Sequence, residues 1–282
     1  MTSGTLTGAG LSLSTAAVWG AGDFAGGIAT RRANVFRVVA GAHACGLLLM
    51  LLLVWIMGEA LPPRSTLLWG ATAGITGAIG VAALYRGLSI GRMGIVAPVS
   101  AVITGVLPVL AGIYSEGMPA PIQLVGFVLA LVSIWLIARS GGEIGTHRGL
   151  GLAVVAGVMF GLFFIACKQA GHHAVLWPLV AARTASTLLM LLIAVAFSTG
   201  DRRPLRPALV PMLSAGILDT SANALFIAAT QHGRLDVTSV LSSLYPASTV
   251  ILARIFLKER MSAAQDAGIV CALISIALIA SR

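Results

Sequence analysis

Charged side chains are scarce in this sequence. They make up 10% of 282 residues, and only two residues are lysine, whereas 58% of the chain is hydrophobic and the mean hydropathy is +0.98. Soluble globular domains carry roughly 25% charged residues, so a soluble catalytic domain is excluded and a bilayer is the expected surrounding. The two lysines stand in no G-x-x-x-x-G-K-[ST] loop, which excludes ATP hydrolysis within this chain. Cysteine is equally sparse: Cys45, Cys167 and Cys271 each sit inside a separate apolar run without C-x-x-C spacing, so neither a disulfide framework nor a metal site is expected. No cofactor is expected either, and the chain does not read as an enzyme. Met1 to Gly10 contains no Lys or Arg, as a signal-peptide n-region would, so the first apolar run is expected to stay as a span. The formal net charge of +9 would suggest nucleic acid in a soluble protein, but the basic residues lie between apolar runs, where they act as loop anchors.

Apolar runs between clusters of charge, Gly and Pro place spans near 8–29, 35–57, 66–86, 93–115, 119–139, 149–168, 175–198, 207–230, 236–257 and 262–281. Inside a bilayer the backbone must satisfy its own hydrogen bonds, so the expected fold class is an all-α polytopic membrane protein with ten transmembrane helices. The chain also repeats itself. Shifted by 142 residues, Ala73–Ala138 aligns without a gap on Ala215–Ala280, with 20 of 66 positions identical. Ala73-Gly74-Ile75 falls on Ala215-Gly216-Ile217, and a one-residue shift upstream places Trp19-Gly20 on Phe160-Gly161. The halves, 1–140 and 141–282, hold five spans each. Five is odd, so the second half enters from the opposite face, giving inverted repeats. Thirteen Lys and Arg fall in the odd-numbered loops and four on the other side (Arg64, Lys168, Arg234 and Arg282), which puts the odd loops in the cytoplasm and both termini outside.

Ionisable groups deep in a span are costly and point to function. Asp219 lies at the middle of the eighth span with Asn223 one turn on, Arg183 lies in the seventh, and Asp23 lies towards the cytoplasmic end of the first. An Asp219–Arg183 pair serves either as a helix staple or as a substrate or proton site. His43 in the second span is a candidate for proton coupling. Pro98 and Pro108 are expected to interrupt the fourth span, and Tyr245-Pro246 its equivalent, the ninth; Ser100 and Ser243 supply hydroxyls for the freed carbonyls. Trp19, Phe160, Phe164 and Tyr85 suit an apolar cavity for an amphipathic solute. Gly70-x-x-x-Gly74 and Gly157-x-x-x-Gly161 permit close helix approach. Gly87-Leu88-Ser89-Ile90-Gly91 fits a nucleophile elbow only by coincidence, because it ends a membrane helix. Gly20-Ala21-Gly22-Asp23, with Asp219 as a second carboxylate, provides a rival reading as an intramembrane aspartyl protease, although Leu218 and not Tyr precedes the second Asp.

Two inverted five-helix repeats, the aromatic-Gly pair opening each half, Trp177-Pro178 followed by Arg183, and Leu257-Lys258-Glu259-Arg260 together resemble the EamA branch of the drug/metabolite transporter superfamily. In the first half, Phe36 and Gly41 stand where the second has Pro178 and Arg183. The resemblance implies a ten-helix exporter of small metabolites working by alternating access, with amino-acid exporters, including aromatic ones of the YddG type, among similar proteins. It implies an inner (plasma) membrane location, a monomer, and a central cavity walled by the first, third, fourth, sixth, eighth and ninth helices. The expected partners are a small-molecule substrate, the lipid bilayer and, where transport is gradient-coupled, protons; nucleic acid is not one. A single cysteine introduced between Ser140 and Arg148 is therefore expected to resist a membrane-impermeant thiol reagent in intact cells and to react after permeabilisation; labelling in intact cells would reverse the orientation.

Overall fold

The structure, a computed structural model, describes residues 3–90, 93–138, 149–171, 174–197, 204–245, 247–248, 252, 255 and 262–280. Within these it is all helix: α1 (Ser3–Arg32), α2 (Val35–Met57), α3 (Arg64–Ile90), α4 (Met93–Glu116), α5 (Pro121–Ala138), α6 (Leu150–Ala170), α7 (Leu176–Phe197), α8 (Leu209–His232), α9 (Leu235–Ser242) and α10 (Ala263–Ala280), with a 3₁₀ turn (Arg206–Ala208) leading into α8. Five stretches are long and apolar enough to cross a bilayer: Val35–Met57, Arg64–Leu84, Leu150–Ala170, Leu176–Ala196 and Arg206–His232. Large apolar side chains such as Leu48, Trp55, Leu192 and Val210 are exposed, while Ser12, Thr15, Ser133 and Thr220 are buried. Apolar outside and polar inside is the arrangement a lipid solvent demands.

Helix ends follow from local chemistry. Asn34 caps α2, its Oδ1 accepting from the amides of Phe36 at 3.0 Å and Arg37 at 3.4 Å, and Gly58 closes the helix at φ 63° with its N–H on the Val54 carbonyl. Gln123 reaches back to the Ala120 amide at 3.1 Å, behind the Pro121 that opens α5. α9 stops at Ser242; Ser243 and Leu244 form a turn, just ahead of Tyr245-Pro246. α4, by contrast, is continuous through Pro98 and Pro108, so the expected interruption of the fourth span is corrected. An internal proline removes one ladder bond, and here α5, α6 and α9 pack along α4 and hold it helical. Gly91, Pro246 and Leu257–Arg260 lie outside the described residues, as do the side chains of Tyr85 and Pro98.

The halves pack by exchange. α1 lies on α8 and α6 on α3; α3 lies on α7 and α8 on α2; α1 lies on α9 and α6 on α4; α2 meets α7, and α5 meets α10. Swapping each helix for its counterpart in the other half leaves this pattern unchanged, as a two-fold relation requires. Gly74 and Gly216, which share one register position, make the two equivalent crossings: a Cβ at Gly74 would collide with the backbone of Ala182 on α7, and one at Gly216 with the backbone of Ala42 on α2. At the distal crossing the Ser133 hydroxyl donates to the Gly268 carbonyl of α10 at 2.8 Å. Gly74→Ala and Gly216→Ala are thus each expected to destabilise by about 1–3 kcal/mol, although alanine is the better helix former by about 1 kcal/mol. Gly10→Ala, which meets nothing within 4 Å, serves as the control. Thermal aggregation of the purified protein reads the difference, and unchanged stability in both crossing variants would contradict the contact.

Candidate functional site

Where the first helices of the two halves approach α3 and α8, a cavity opens. About 70 Å³ of it is open to the centre of a water molecule. α1 brings Trp19 and Asp23, one turn apart; α6 brings Phe160, Phe163 and Phe164; α8 brings Asp219 and Asn223, again one turn apart. His43 of α2, Thr104 of α4, Arg183 of α7 and Tyr245 complete the polar lining. Among the described side chains α3 contributes small or aliphatic residues, among them Ala73, Gly74 and Gly77, and so leaves room rather than contacts. The expected wall lacked α2 and α7; His43, Ala182 and Arg183 correct this.

One side of the cavity is aromatic. Trp19 stacks on Phe164 with centroids 5.5 Å apart and planes 11° apart, and Phe164 stacks on Phe226 at 4.5 Å. The indole Nε1 donates to Asn223 Oδ1 at 2.9 Å, fixing the ring and joining α1 to α8. The other side is ionic. Arg183 Nη2 donates to Asp219 Oδ2 at 2.5 Å; the arginine side chain is 6% exposed and the aspartate side chain 32%, so the guanidinium backs the pair and the carboxylate faces the cavity. Close approach makes this possible, because a Cβ on Gly46 would overlap the Thr220 hydroxyl and stand 3.3 Å from Arg183 Nε. Asp23 is half-buried, and among the described residues nothing hydrogen-bonds or ion-pairs with it. A Cβ on its neighbour Gly22 would stand 3.3 Å from the Asp219 amide nitrogen, so the two carboxylates flank the α1–α8 crossing.

Of the sequence candidates, Trp19, Asp23, His43, Phe160, Phe164, Arg183, Asp219, Asn223 and Tyr245 line this one cavity. Ser100 and Ser243 do not: both are fully buried, and among the described residues neither hydroxyl has a hydrogen-bond partner, while the Ser100 carbonyl accepts from Thr104 Oγ1 at 2.8 Å. Nothing in the sequence singles out Glu59. Its carboxylate accepts from the amides of Leu176 and Trp177 at 3.1 Å each, and its carbonyl from Trp177 Nε1 at 2.8 Å, so it caps α7 across the bundle. On the same rim Lys168 donates to the Thr230 and Gly233 carbonyls, and Gln231 to that of Gly171 at 2.6 Å. Among the described residues no group of three His, Cys, Asp or Glu could hold a metal ion.

The sequence profile of the EamA-like transporter family matches this chain twice, over residues 6–139 and 147–281. No curated protein matches it. Twenty-nine chains of solved structures do, among them a crystal structure of 17% sequence identity that superposes with a TM-score of 0.81 over 98% of each chain. At that identity the likeness establishes the fold alone. The double match covers nearly the whole chain, and with long apolar helices around a polar and aromatic cavity it establishes that the protein belongs to the EamA-like transporter family, as a multi-pass membrane transporter of small solutes.

Proposed function

We propose that the protein exports small organic solutes, amino acids and related metabolites foremost and aromatic ones among them, from the cytoplasm by alternating access. Its two repeats, 1–140 and 141–282, form ten spans in the inner membrane, inverted with respect to each other, with both termini outside, and a monomer suffices. The observation that carries this reading is an ion pair set in the wall of an aromatic cavity between the halves. A pair used only as a staple gains by complete burial among other helices, whereas here one carboxylate borders the open space. The swap-symmetric packing supports the mechanism, since a site between two equivalent halves opens to either side when one rocks against the other. The energy source is a gradient or the solute's own. The protease reading requires Asp23 and Asp219 to share a proton, and it is weakened by Arg183, which already engages one of them.

Purified protein in proteoliposomes, offered a panel of radiolabelled amino acids with and without a pH gradient, is expected to move at least one of them. Movement of none in either direction would overturn the amino-acid reading.

The role of the ion pair is tested separately. Asp219→Ala leaves a buried guanidinium alone and is expected to cost on the order of 2–3 kcal/mol, below the figure for a fully buried pair because Asp219 borders the cavity. Adding Arg183→Ala removes the stranded charge and restores thermal stability. Transport should stay absent in this double variant. Full transport by a well-folded double variant would reduce Asp219 to a staple.

A further inference from the structure

We infer that the cavity reads its solute by a primary ammonium group, held between the carboxylates of Asp23 and Asp219 with the solute's apolar body against the Trp19–Phe164 wall. The inference deepens the proposed function and rests on its placing the solute in this cavity. Charge is the first argument. The described lining residues include two carboxylates and one guanidinium, and the guanidinium is committed to Asp219, so an ionised Asp23 leaves the site one positive charge short. An uncompensated carboxylate is expensive away from water, and either a proton or a monovalent organic cation cancels it; the shape and donor count of the site favour the cation.

Donor and acceptor numbers narrow the cation further. Arg183 occupies Oδ2 of Asp219, which leaves Oδ1 of that residue and both oxygens of Asp23 as acceptors beside the α1–α8 crossing. An R–NH₃⁺ group carries three donors and no acceptor, as does the lysine head, and so matches three carboxylate oxygens one for one. A smaller recess under the cavity is lined by Asp23, Asp219 and His43 together, along with Gly22 and Gly26. His43 is 6% exposed, and among the described residues its Nδ1 has no hydrogen-bond partner. Most of the remaining lining is aromatic and aliphatic, which suits a phenyl or indole body.

The test is a ligand series on the unmodified full-length protein, with competition binding read on purified material. Phenylalanine, phenethylamine, its N-methyl and N,N,N-trimethyl derivatives, and 3-phenylpropionate share one ring and differ in the head. Phenethylamine is expected to compete, the N-methyl derivative to bind several-fold more weakly, the trimethyl derivative at least about tenfold more weakly, and 3-phenylpropionate not at all. A cage that reads charge through aromatic faces alone would rank the trimethyl compound level with or above the primary amine, and that order would overturn the inference. So would competition by 3-phenylpropionate as strong as by phenylalanine, a result that leaves the amino-acid reading standing. Binding of phenethylamine in the expected order, with no amino acid bound or moved, would uphold the ammonium site and remove the amino-acid reading. If no compound binds, the inference falls, while the amino-acid reading is decided by the transport panel. Asp23→Asn, with its fold verified by thermal unfolding without ligand, is expected to lose the preference for the primary amine over the trimethyl compound; retention of that preference would also count against the assignment.

Discussion

A polar group enclosed by lipid must find its partner inside the protein, and the structure around α2, α7 and α8 is built on that constraint. Arg183 is the deepest cation among the described residues of these helices, and Asp219 answers its charge. Bringing the two together requires α2 to run without a side chain at Gly46, where Thr220 of α8 closes in and the guanidinium lies alongside. The same closeness turns the aspartate outward. Its carboxylate is held at one oxygen and open at the other, so the pair both ties the helices and presents charge to the cavity.

The rest of the bundle makes such close approach routine. Gly74 against Ala182 and Gly216 against Ala42 repeat one crossing in the two halves, and Gly70 against Pro178 extends the first by a helical turn. Lipid tails give apolar helices no reason to prefer each other, so attraction comes from backbones close enough for dense packing and for hydroxyl-to-carbonyl bonds such as Ser133 to Gly268. Small residues on α3 then have a second effect. Where they face a neighbouring helix they bring it near, and where they face the centre, as at Ala73 and Gly77, they leave the cavity its volume.

One rim of the bundle is tied by longer side chains. Glu59 receives the first amides of α7, Lys168 and Gln231 close on the carbonyls of neighbouring helix ends, and Arg234 joins Asp236 and the Gly117 carbonyl at 2.6 Å. Except for the neutral Gln231 amide, these are charge-assisted bonds, and they gather at helix termini, where unsatisfied amides and carbonyls collect. They join α2 to α7, α6 to α8, and the α4–α5 link to the start of α9. Such a rim resists being opened at one contact alone.

Much of the fold is legible in the chain because lipid simplifies the code. Runs of apolar residues must be helices, an embedded Asp or Arg must have a reason, and the 142-residue register ties Gly74 to Gly216 before any coordinates exist. The same logic singles out Trp19, Asp23, His43, Arg183, Asp219 and Asn223, each polar or aromatic at a depth where neither is free. Other features are not local properties. Whether a proline breaks a helix depends on its neighbours: α4 stays continuous through Pro98 and Pro108 because three helices hold it, whereas α9 ends at Ser242. Ser100 and Ser243 carry hydroxyls as plausible as that of Thr104, yet only Thr104 reaches the cavity, since the rotation of a helix about its axis is set by its packing partners. Glu59 is unremarkable in a loop until α7 begins beneath it. Composition and period fix which segments enter the membrane and which residues are costly there; which of those residues meet depends on how the helices cross, and that is a sum over contacts between residues far apart in the chain.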